Sequence, residues 1–192
     1  MRLVRRRALI RVVWLLFGVV LGVGPQNTIR AAEISEYALK AEFLCNFPDF
    51  TTWPETAFAT AESPIVIGIL GTDPFGSVLD QTVVRKTING RHLVVRRLKD
   101  LSGARECHVL FIAESEMRKL PEILNSLGSS PILTVGDSEG FARRGGMINL
   151  RLEGRKIRFE INLKATEQTN LRLRSQLIKL GTLVGDKPAG DR

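Results

Sequence analysis

The sequence predicts an α/β fold, a three-layer sandwich with a mostly parallel sheet that ends in an antiparallel hairpin. Two observations carry this prediction. Continuous apolar runs of strand length, such as Pro64–Leu70 and His108–Ala113, alternate with segments of helical periodicity. This pattern is typical of strands that are buried on both faces between helices. Near the C-terminal end, Gly145–Leu163 instead alternates apolar and polar residues, which predicts an antiparallel pair with one buried face.

The elements follow in chain order from apolar spacing and from turn residues. An amphipathic helix is predicted from about Ser35 to Phe50, where Pro48 and Pro54 bracket its end. The sequence then predicts strand Pro64–Leu70, helix Phe75–Val83, a turn at Asn89–Gly90, strands His92–Leu98 and His108–Ala113, helix Glu116–Leu127, strand Pro131–Val135, a short helix over Phe141, the hairpin, and a closing helix Leu173–Leu183.

The hairpin has a predicted register as well as a predicted position. A two-residue loop at Glu153–Gly154 would pair Leu150 with Ile157 and would place both apolar sets on one face. The polar residues of both strands would then point outward, namely Asn149, Arg151, Arg158, Glu160 and Asn162.

Most of the net charge of +8 comes from the beginning of the chain. The first 32 residues hold six arginines and no acidic residue, whereas residues 33–192 carry 22 Lys and Arg against 20 Asp and Glu. The remainder is therefore close to neutral, which argues against binding of nucleic acid through a strongly basic surface.

The basic beginning is typical of a secretory signal peptide. It is followed by an apolar run, Val12–Val23, and by small residues at Ala31 and Ala32, so cleavage is expected after Ala31. An uncleaved membrane anchor is the weaker alternative, since a helix that spans a bilayer needs roughly 20 apolar residues. The predicted organisation is a signal peptide (1–31), a single α/β domain (32–185) and a disordered tail (186–192), with the mature protein in the periplasm.

No motif in the chain predicts catalysis. Cys107 and His108 are neighbours on a strand and point to opposite faces, so they cannot act as nucleophile and base. The two cysteines and two histidines have no zinc-binding spacing, and Gly68–Gly76 fits no phosphate-binding glycine pattern. We therefore predict no catalytic residue, no metal site and no cofactor, and we do not expect an enzyme.

Cys45 and Cys107 are candidates for a disulfide in an oxidising compartment. Packing of the first helix near the central strand could bring them together, and closing this loop would contribute about 4 kcal/mol on the chain-entropy model. The alternative, two buried thiols that behave as small hydrophobic groups, is slightly favoured.

A charged surface is expected around the hairpin. Glu160 would project from its outward face, and Arg172 and Arg174 alternate just after it, so they would share an exposed face. A solvated charged face is the default interpretation of such residues, and a recognition patch is the alternative.

Six segments, which occur in the right order over residues 35–184, resemble those of a known family. They are Tyr37–Ala41 with Asn46-Phe47 and Trp53-Pro54; Gly68–Phe75; Cys107–Phe111; Leu133–Asp137; Phe141 through Gly145–Ile148; and Arg158–Leu163. These segments resemble the YfiR/HmsC-like family of bacterial periplasmic proteins.

The resemblance implies a regulator. The protein is expected to bind the periplasmic region of an inner-membrane diguanylate cyclase and to repress it, which would control cyclic-di-GMP output and biofilm formation. An outer-membrane lipoprotein that sequesters the protein is an expected second partner, and a homodimer stays open. The resemblance assigns Glu160, Arg172 and Arg174 to the partner-binding region. It also argues against a Cys45–Cys107 bridge, because aromatic residues are common in the family at the position of Cys45.

Two other classes of function stay open. One is a periplasmic small-molecule sensor or solute-binding module that uses the crevice at the strand ends. The other is an enzyme that no motif reveals.

Overall fold

Strands and helices alternate along residues 25–185, which are the residues that the computed structural model describes. The strands are β1 (Thr51–Thr52), β2 (Ile65–Leu70), β3 (Thr87–Ile88), β4 (Arg91–Leu98), β5 (Val109–Ile112), β6 (Leu133–Gly136), β7 (Ile148–Glu153), β8 (Lys156–Ile161), β9 (Arg172–Leu173) and β10 (Thr182–Leu183). The α-helices are α1 (Pro25–Asn46), α2 (Ser77–Val84), α3 (Leu120–Leu127), α4 (Leu163–Glu167) and α5 (Ser175–Leu180). Short 3₁₀ helices cover Phe47–Phe50, Glu55–Ala57, Leu101–Glu106 and Glu114–Lys119.

The main sheet orders its described strands β10-β8-β7-β6-β5-β2-β4-β3. The strands from β7 through β4 run parallel to one another. Strand β8 is antiparallel to β7 and strand β3 is antiparallel to β4, while β10 runs parallel to β8. A mostly parallel sheet with an antiparallel hairpin is therefore confirmed, and the hairpin lies inside the sheet because β10 adds one more strand beyond it.

Apolar side chains cover both faces of the sheet. On one face Phe111 of β5 packs in a core group with Leu44 of α1 and Leu79 of α2. On the other face Leu110 packs in a second group with Ile123 of α3. Burying a side chain of this size contributes about 1.5–3 kcal/mol. Helices on both faces of one sheet make the three layers that the sequence predicts, and from Ser35 onward the described chain packs as one compact unit.

The boundaries of three helices differ from the prediction. Helix α1 is described over Pro25–Asn46, so it already includes the residues before the predicted start at Ser35. The predicted helix Glu116–Leu127 divides into a 3₁₀ helix and α3, with a proline in the first turn of α3. The closing helix ends at Leu180, and β10 follows it.

The predicted short helix over Phe141 is wrong. Residues 139–145 form a series of turns, with positive φ angles at Gly140 (+73°) and Gly145 (+103°). A right-handed helix cannot contain such angles, which are favourable mainly for glycine. The sequence signal that was missed is the spacing of these glycines around the aromatic residue.

The predicted register of the hairpin is also wrong, by two residues. Strand residues Leu150 and Phe159 are opposed, as are Glu153 and Lys156, so the loop is Gly154–Arg155 and not Glu153–Gly154. Gly154 has φ +63° at the first central position, which suits a type II′ turn. A shift of two residues keeps each side chain on its face, so the apolar face is as predicted.

None of the helices between residues 25 and 185 is both long enough and apolar enough to cross a bilayer. Helix α1 runs through the predicted cleavage position at Ala31. Most of the predicted signal peptide and the predicted tail (186–192) lie outside the described residues.

Candidate partner-binding site

Glu160 lies at the centre of a buried polar cluster on the β7–β8 hairpin. Its residue is only 6% exposed. The amide of Asn149, directly across the hairpin, donates to Glu160 Oε2 at 3.1 Å, and Arg151 Nη1 donates to Oε1 at 3.3 Å. The guanidinium of Arg143 lies 3.9 Å from the same oxygen. The expectation that Glu160 and Asn149 point outward into solvent is therefore wrong, and only the arginines around them are exposed.

A loop between β6 and β7 causes this burial, because it covers the polar face of the hairpin. The ring of Phe141 is fully buried between Gly136 and Gly146, and a Cβ at either glycine would overlap the ring. This packing explains why an aromatic residue and glycines occur together in the segment that follows β6.

Asn162, which was also expected to point outward, fixes the same loop from the end of β8. It is buried, and its amide donates to the backbone oxygen of Ala142 at 2.9 Å. Its Oδ1 accepts from the N–H of Ala165 at 3.0 Å and so caps α4. Strand β6 also contacts the end of this loop, where Thr134 Oγ1 accepts a hydrogen bond from the N–H of Met147 at 3.1 Å. Hydrogen bonds from Asn162 at the end of β8 and to Thr134 of β6 therefore hold this loop beside the cluster.

A second polar network joins α1 to the carboxyl end of β6. Lys40 Nζ lies 2.7 Å from Asp137 Oδ2 and 2.6 Å from Glu36 Oε1, and the hydroxyl of Tyr37 donates to Asp137 at 3.1 Å. The side chains of Lys40 and Asp137 are 5% and 8% exposed. Tyr37–Ala41 and Asp137 belong to separate sequence motifs, and no local pattern indicates that they meet.

The two networks border a cleft of about 440 Å³. Its lining includes both signs of charge and one exposed apolar side chain: Glu36, Lys40, Asp137, Glu139, Gly140, Asn149, Arg151 and Leu152. Asn149 is 1% exposed, and its Oδ1 makes no hydrogen bond with the described residues. The cleft therefore presents charges of both signs to a group that enters it.

Arg172 and Arg174 are exposed, as predicted, but they lie in a different part of the fold. Strand β9 pairs with β1, which places Arg172 opposite Thr52, and the N–H of Arg174 donates to the oxygen of Phe50 at 2.8 Å. Among the described residues no hydrogen bond or ion pair joins either arginine to Glu160. A second cleft of about 570 Å³ lies here, lined by Thr52, Trp53, Pro54, Glu167, Asn170, Leu171 and Arg172.

Both cysteines are free and buried. Cys45 belongs to the core group that contains α1 and α2, whereas Cys107 packs over Gly68 beside Leu110, on the other face of the sheet. The slightly favoured prediction of two buried, unbridged thiols therefore agrees with the structure, and the disulfide alternative does not. Burial raises the pKa of the Cys45 thiol to about 12 and that of Cys107 to about 11, so neither is a ready nucleophile.

His108 has a structural role. Its Nδ1 accepts from the N–H of Val66 at 3.1 Å, so the proton of the neutral ring is on Nε2, which lies 3.0 Å from the oxygen of Ala57. The ring stacks on Phe58 at 4.3 Å between centroids. Burial lowers the pKa of His108. The hydrogen bond to Ala57 raises this pKa, whereas the charge of Arg91 lowers it further. Both ring nitrogens are thus occupied by backbone groups.

The turn after β2, which the sequence analysis considered for phosphate, is filled by its own side chains. Asp73 Oδ1 accepts from the N–H groups of Phe75 at 2.7 Å and Gly76 at 3.3 Å. Arg97 binds both Asp73 and Asp80, and its hydrogen bond lowers the pKa of Asp80. The backbone donors that an anion would need are therefore already used. Across residues 25–185, no group of three or more His, Cys, Asp or Glu side chains could hold a metal ion.

Comparison with known proteins agrees with the motifs and the fold. No curated protein matches the sequence. The model of the YfiR/HmsC-like family matches residues 37–182, which include β1 through the first residue of β10, the Lys40–Asp137 pair and the cluster around Glu160. The chain therefore belongs to the YfiR/HmsC-like family, a family of regulators of cyclic-di-GMP signalling.

Proposed function

We propose that the mature protein acts in the periplasm, where it binds the periplasmic region of an inner-membrane diguanylate cyclase and represses it. The observation that carries this proposal is the charged surface on the β7–β8 hairpin, where a buried carboxylate holds exposed arginines inside a segment shared with a regulatory family. A fixed array of charges on a strand pair can recognise a partner without performing a reaction.

The chemistry of the described residues supports binding over catalysis. The two thiols are protonated at neutral pH, and His108 is held by backbone groups. Hydrolysis or group transfer would need a nucleophile near a base, and the thiols and His108 do not supply such a pair. The regulatory character of the family points in the same direction.

Arg172 and Arg174 form a second part of the proposed contact. Both are exposed on a short strand that the backbone of β1 and Phe50 holds in place. Glu160 takes part through the arginines that it binds, because its own carboxylate is buried. Sequestration by an outer-membrane lipoprotein and formation of a homodimer stay predictions.

Affinity capture from solubilised inner membranes tests the proposal. The tagged, exported protein should retain a membrane diguanylate cyclase, identified by mass spectrometry and by cyclase activity in the eluate. Arg172→Glu with Arg174→Glu should weaken this capture, whereas Arg85→Glu with Arg118→Glu, an equal change of charge at exposed arginines elsewhere, should not. Capture that is insensitive to the first pair, or that lacks a cyclase, would contradict the proposal.

A small-molecule sensor is the second candidate, and the cleft beside β9 favours it. Its volume of about 570 Å³ lies in the range of ligand sites, and it combines Trp53 with Arg172 and Glu167. Under this alternative, small solutes of a periplasmic extract should raise the thermal midpoint of the protein, and Trp53→Ala should abolish the rise. A midpoint that no solute changes would contradict it.

A further inference from the structure

Two arginines occupy directly opposed positions on the hairpin. Arg151 of β7 pairs across the strands with Arg158 of β8, and both are exposed. Like charges at opposed positions destabilise a strand pair. Arg151 is partly neutralised by Glu160, whereas the side chain of Arg158 makes no hydrogen bond or ion pair with another described residue. The hairpin therefore presents a cationic group that no described side chain neutralises.

A third guanidinium approaches the same point. Arg143, from the loop between β6 and β7, lies 3.9 Å from Glu160 Oε1, and its side chain is 68% exposed. Two arginines, Arg143 and Arg151, thus lie within 4 Å of one carboxylate that is 8% exposed in its side chain. Glu160 fixes the direction of Arg151 and Arg143 from below, and the outward side of each guanidinium stays open to a second acceptor.

The neighbouring cleft indicates what kind of molecule binds. Arg151 lines it together with Asn149, whose Oδ1 is buried and without a donor, and with the exposed residue Leu152. Glu139, which is exposed, and Glu36 line the same cleft. These carboxylates would repel a uniformly anionic membrane that covered the whole cleft, whereas a protein segment can place its carboxylates against the exposed arginines and away from Glu36 and Glu139.

We infer that Arg143, Arg151 and Arg158 form a docking surface for an acidic segment of a partner protein, with Glu160 as the buried residue that positions the guanidinium groups of Arg143 and Arg151. The inference rests on the proposed function, since it names the chemistry of the surface that the partner presents. Carboxylates of the segment bind the arginines in paired, charge-assisted hydrogen bonds.

The test is a binding titration of the purified, exported protein with fluorescein-labelled hexaglutamate. Arg151→Gln with Arg158→Gln should weaken binding on the order of tenfold or more and should make it less dependent on salt. Arg85→Gln with Arg118→Gln removes the same charge from exposed positions elsewhere and should leave affinity within about twofold. Equal losses in the two double variants would overturn the inference, because binding would then follow net charge alone.

Glu160→Gln separates positioning from charge. The substitution makes the site more positive by one unit, so attraction by charge alone would strengthen hexaglutamate binding. The inference instead expects weaker binding, with the signals of the Arg151 and Arg143 guanidinium groups in NMR spectra broadened or shifted. Stronger binding with unchanged guanidinium signals would contradict the role of Glu160.

Two further probes identify the class of partner. Vesicles that contain phosphatidylglycerol should bind no better than neutral vesicles, and inorganic phosphate should bind more weakly than hexaglutamate. Preferential binding of the anionic vesicles through Arg151 and Arg158 would overturn the choice of a protein segment.

The docking surface and the proposed function can fail separately. If the docking surface fails these tests while deletion of the gene still raises cyclic-di-GMP, the proposed function is supported without this surface. If the docking surface passes these tests and deletion does not change cyclic-di-GMP, the docking surface is supported and the proposed repression of a diguanylate cyclase is contradicted.

Discussion

Lys40 of α1 and Asp137 at the end of β6 form an ion pair of 2.7 Å, although 97 residues separate them in the sequence. The pair joins the first described helix to the end of β6, where the loop between β6 and β7 begins. Tyr37 binds the same carboxylate, and Lys40 lies 4.6 Å from the centre of its ring. The network therefore fixes the position of the cleft relative to the sheet.

Removing one member of this pair should lower the free energy of unfolding. Lys40→Met leaves Asp137 buried beside Glu36 without its cation, so we expect unfolding to become easier by about 3–5 kcal/mol, measured by urea denaturation. Lys40→Met combined with Asp137→Leu should recover part of the loss, because the buried carboxylate is then removed together with its cation. Additive losses in the double variant would show that the two residues are not coupled.

Glu160→Lys should destabilise the protein in the same way, since it puts a third cation at a buried position between Arg143 and Arg151. The expected loss is about 3–5 kcal/mol. Glu62→Lys, in an exposed turn away from the cluster, is the matched control, and its effect should stay within about 0.5 kcal/mol. Comparable stability of both variants would mean that Glu160 is accessible to solvent.

The position of Phe141 should require both glycines around it. Gly146→Ala places a methyl group against a ring that is fully buried, so we expect a loss of about 1–3 kcal/mol in the free energy of unfolding. Gly103→Ala meets only a leucine methyl group and should cost less. Phe141→Leu in the Gly146→Ala background should restore stability in part. A loss that Phe141→Leu does not change would place the strain elsewhere.

His108 should make stability depend on pH. Its pKa in the folded protein is lowered from 6.5, mainly by burial, so the unfolded chain takes up the proton first as pH falls. The stability that the neutral ring contributes is present above about pH 6.5 and is lost as pH falls through the lower pKa of the folded state. Denaturation at pH 8 and pH 5 should therefore show a smaller difference for His108→Gln than for the original protein.

The exposed histidine is the control for this measurement. His92→Gln makes the same substitution at an exposed position of β4 and so controls for the change of residue type. Equal pH dependence of the original protein and His108→Gln would contradict the account of the buried ring.

Local patterns predicted the strands and the buried face of the hairpin well. The run Pro64–Leu70 gave a strand buried at every position, and alternation in Gly145–Leu163 separated Leu150 and Phe159 from the polar face. The register failed because two adjacent two-residue loops, Glu153–Gly154 and Gly154–Arg155, leave the same side chains on the same faces.

The candidate site was predicted only in part, because its burial depends on contacts between distant segments. Alternation places Glu160 on the polar face, but it cannot show that the loop around Phe141 covers that face. Strands β1, β9 and β10 have two residues each and carry no periodic signal, so the separation of Arg172 from Glu160 was not visible in the sequence.

The most direct test of the central claim is the cellular level of cyclic-di-GMP. We expect deletion of the gene to raise it, the full gene to restore it, and a gene that lacks codons 2–31 to leave it raised because its product stays out of the periplasm. An unchanged level on deletion, or restoration by the product without its leader, would contradict the proposal of a periplasmic repressor.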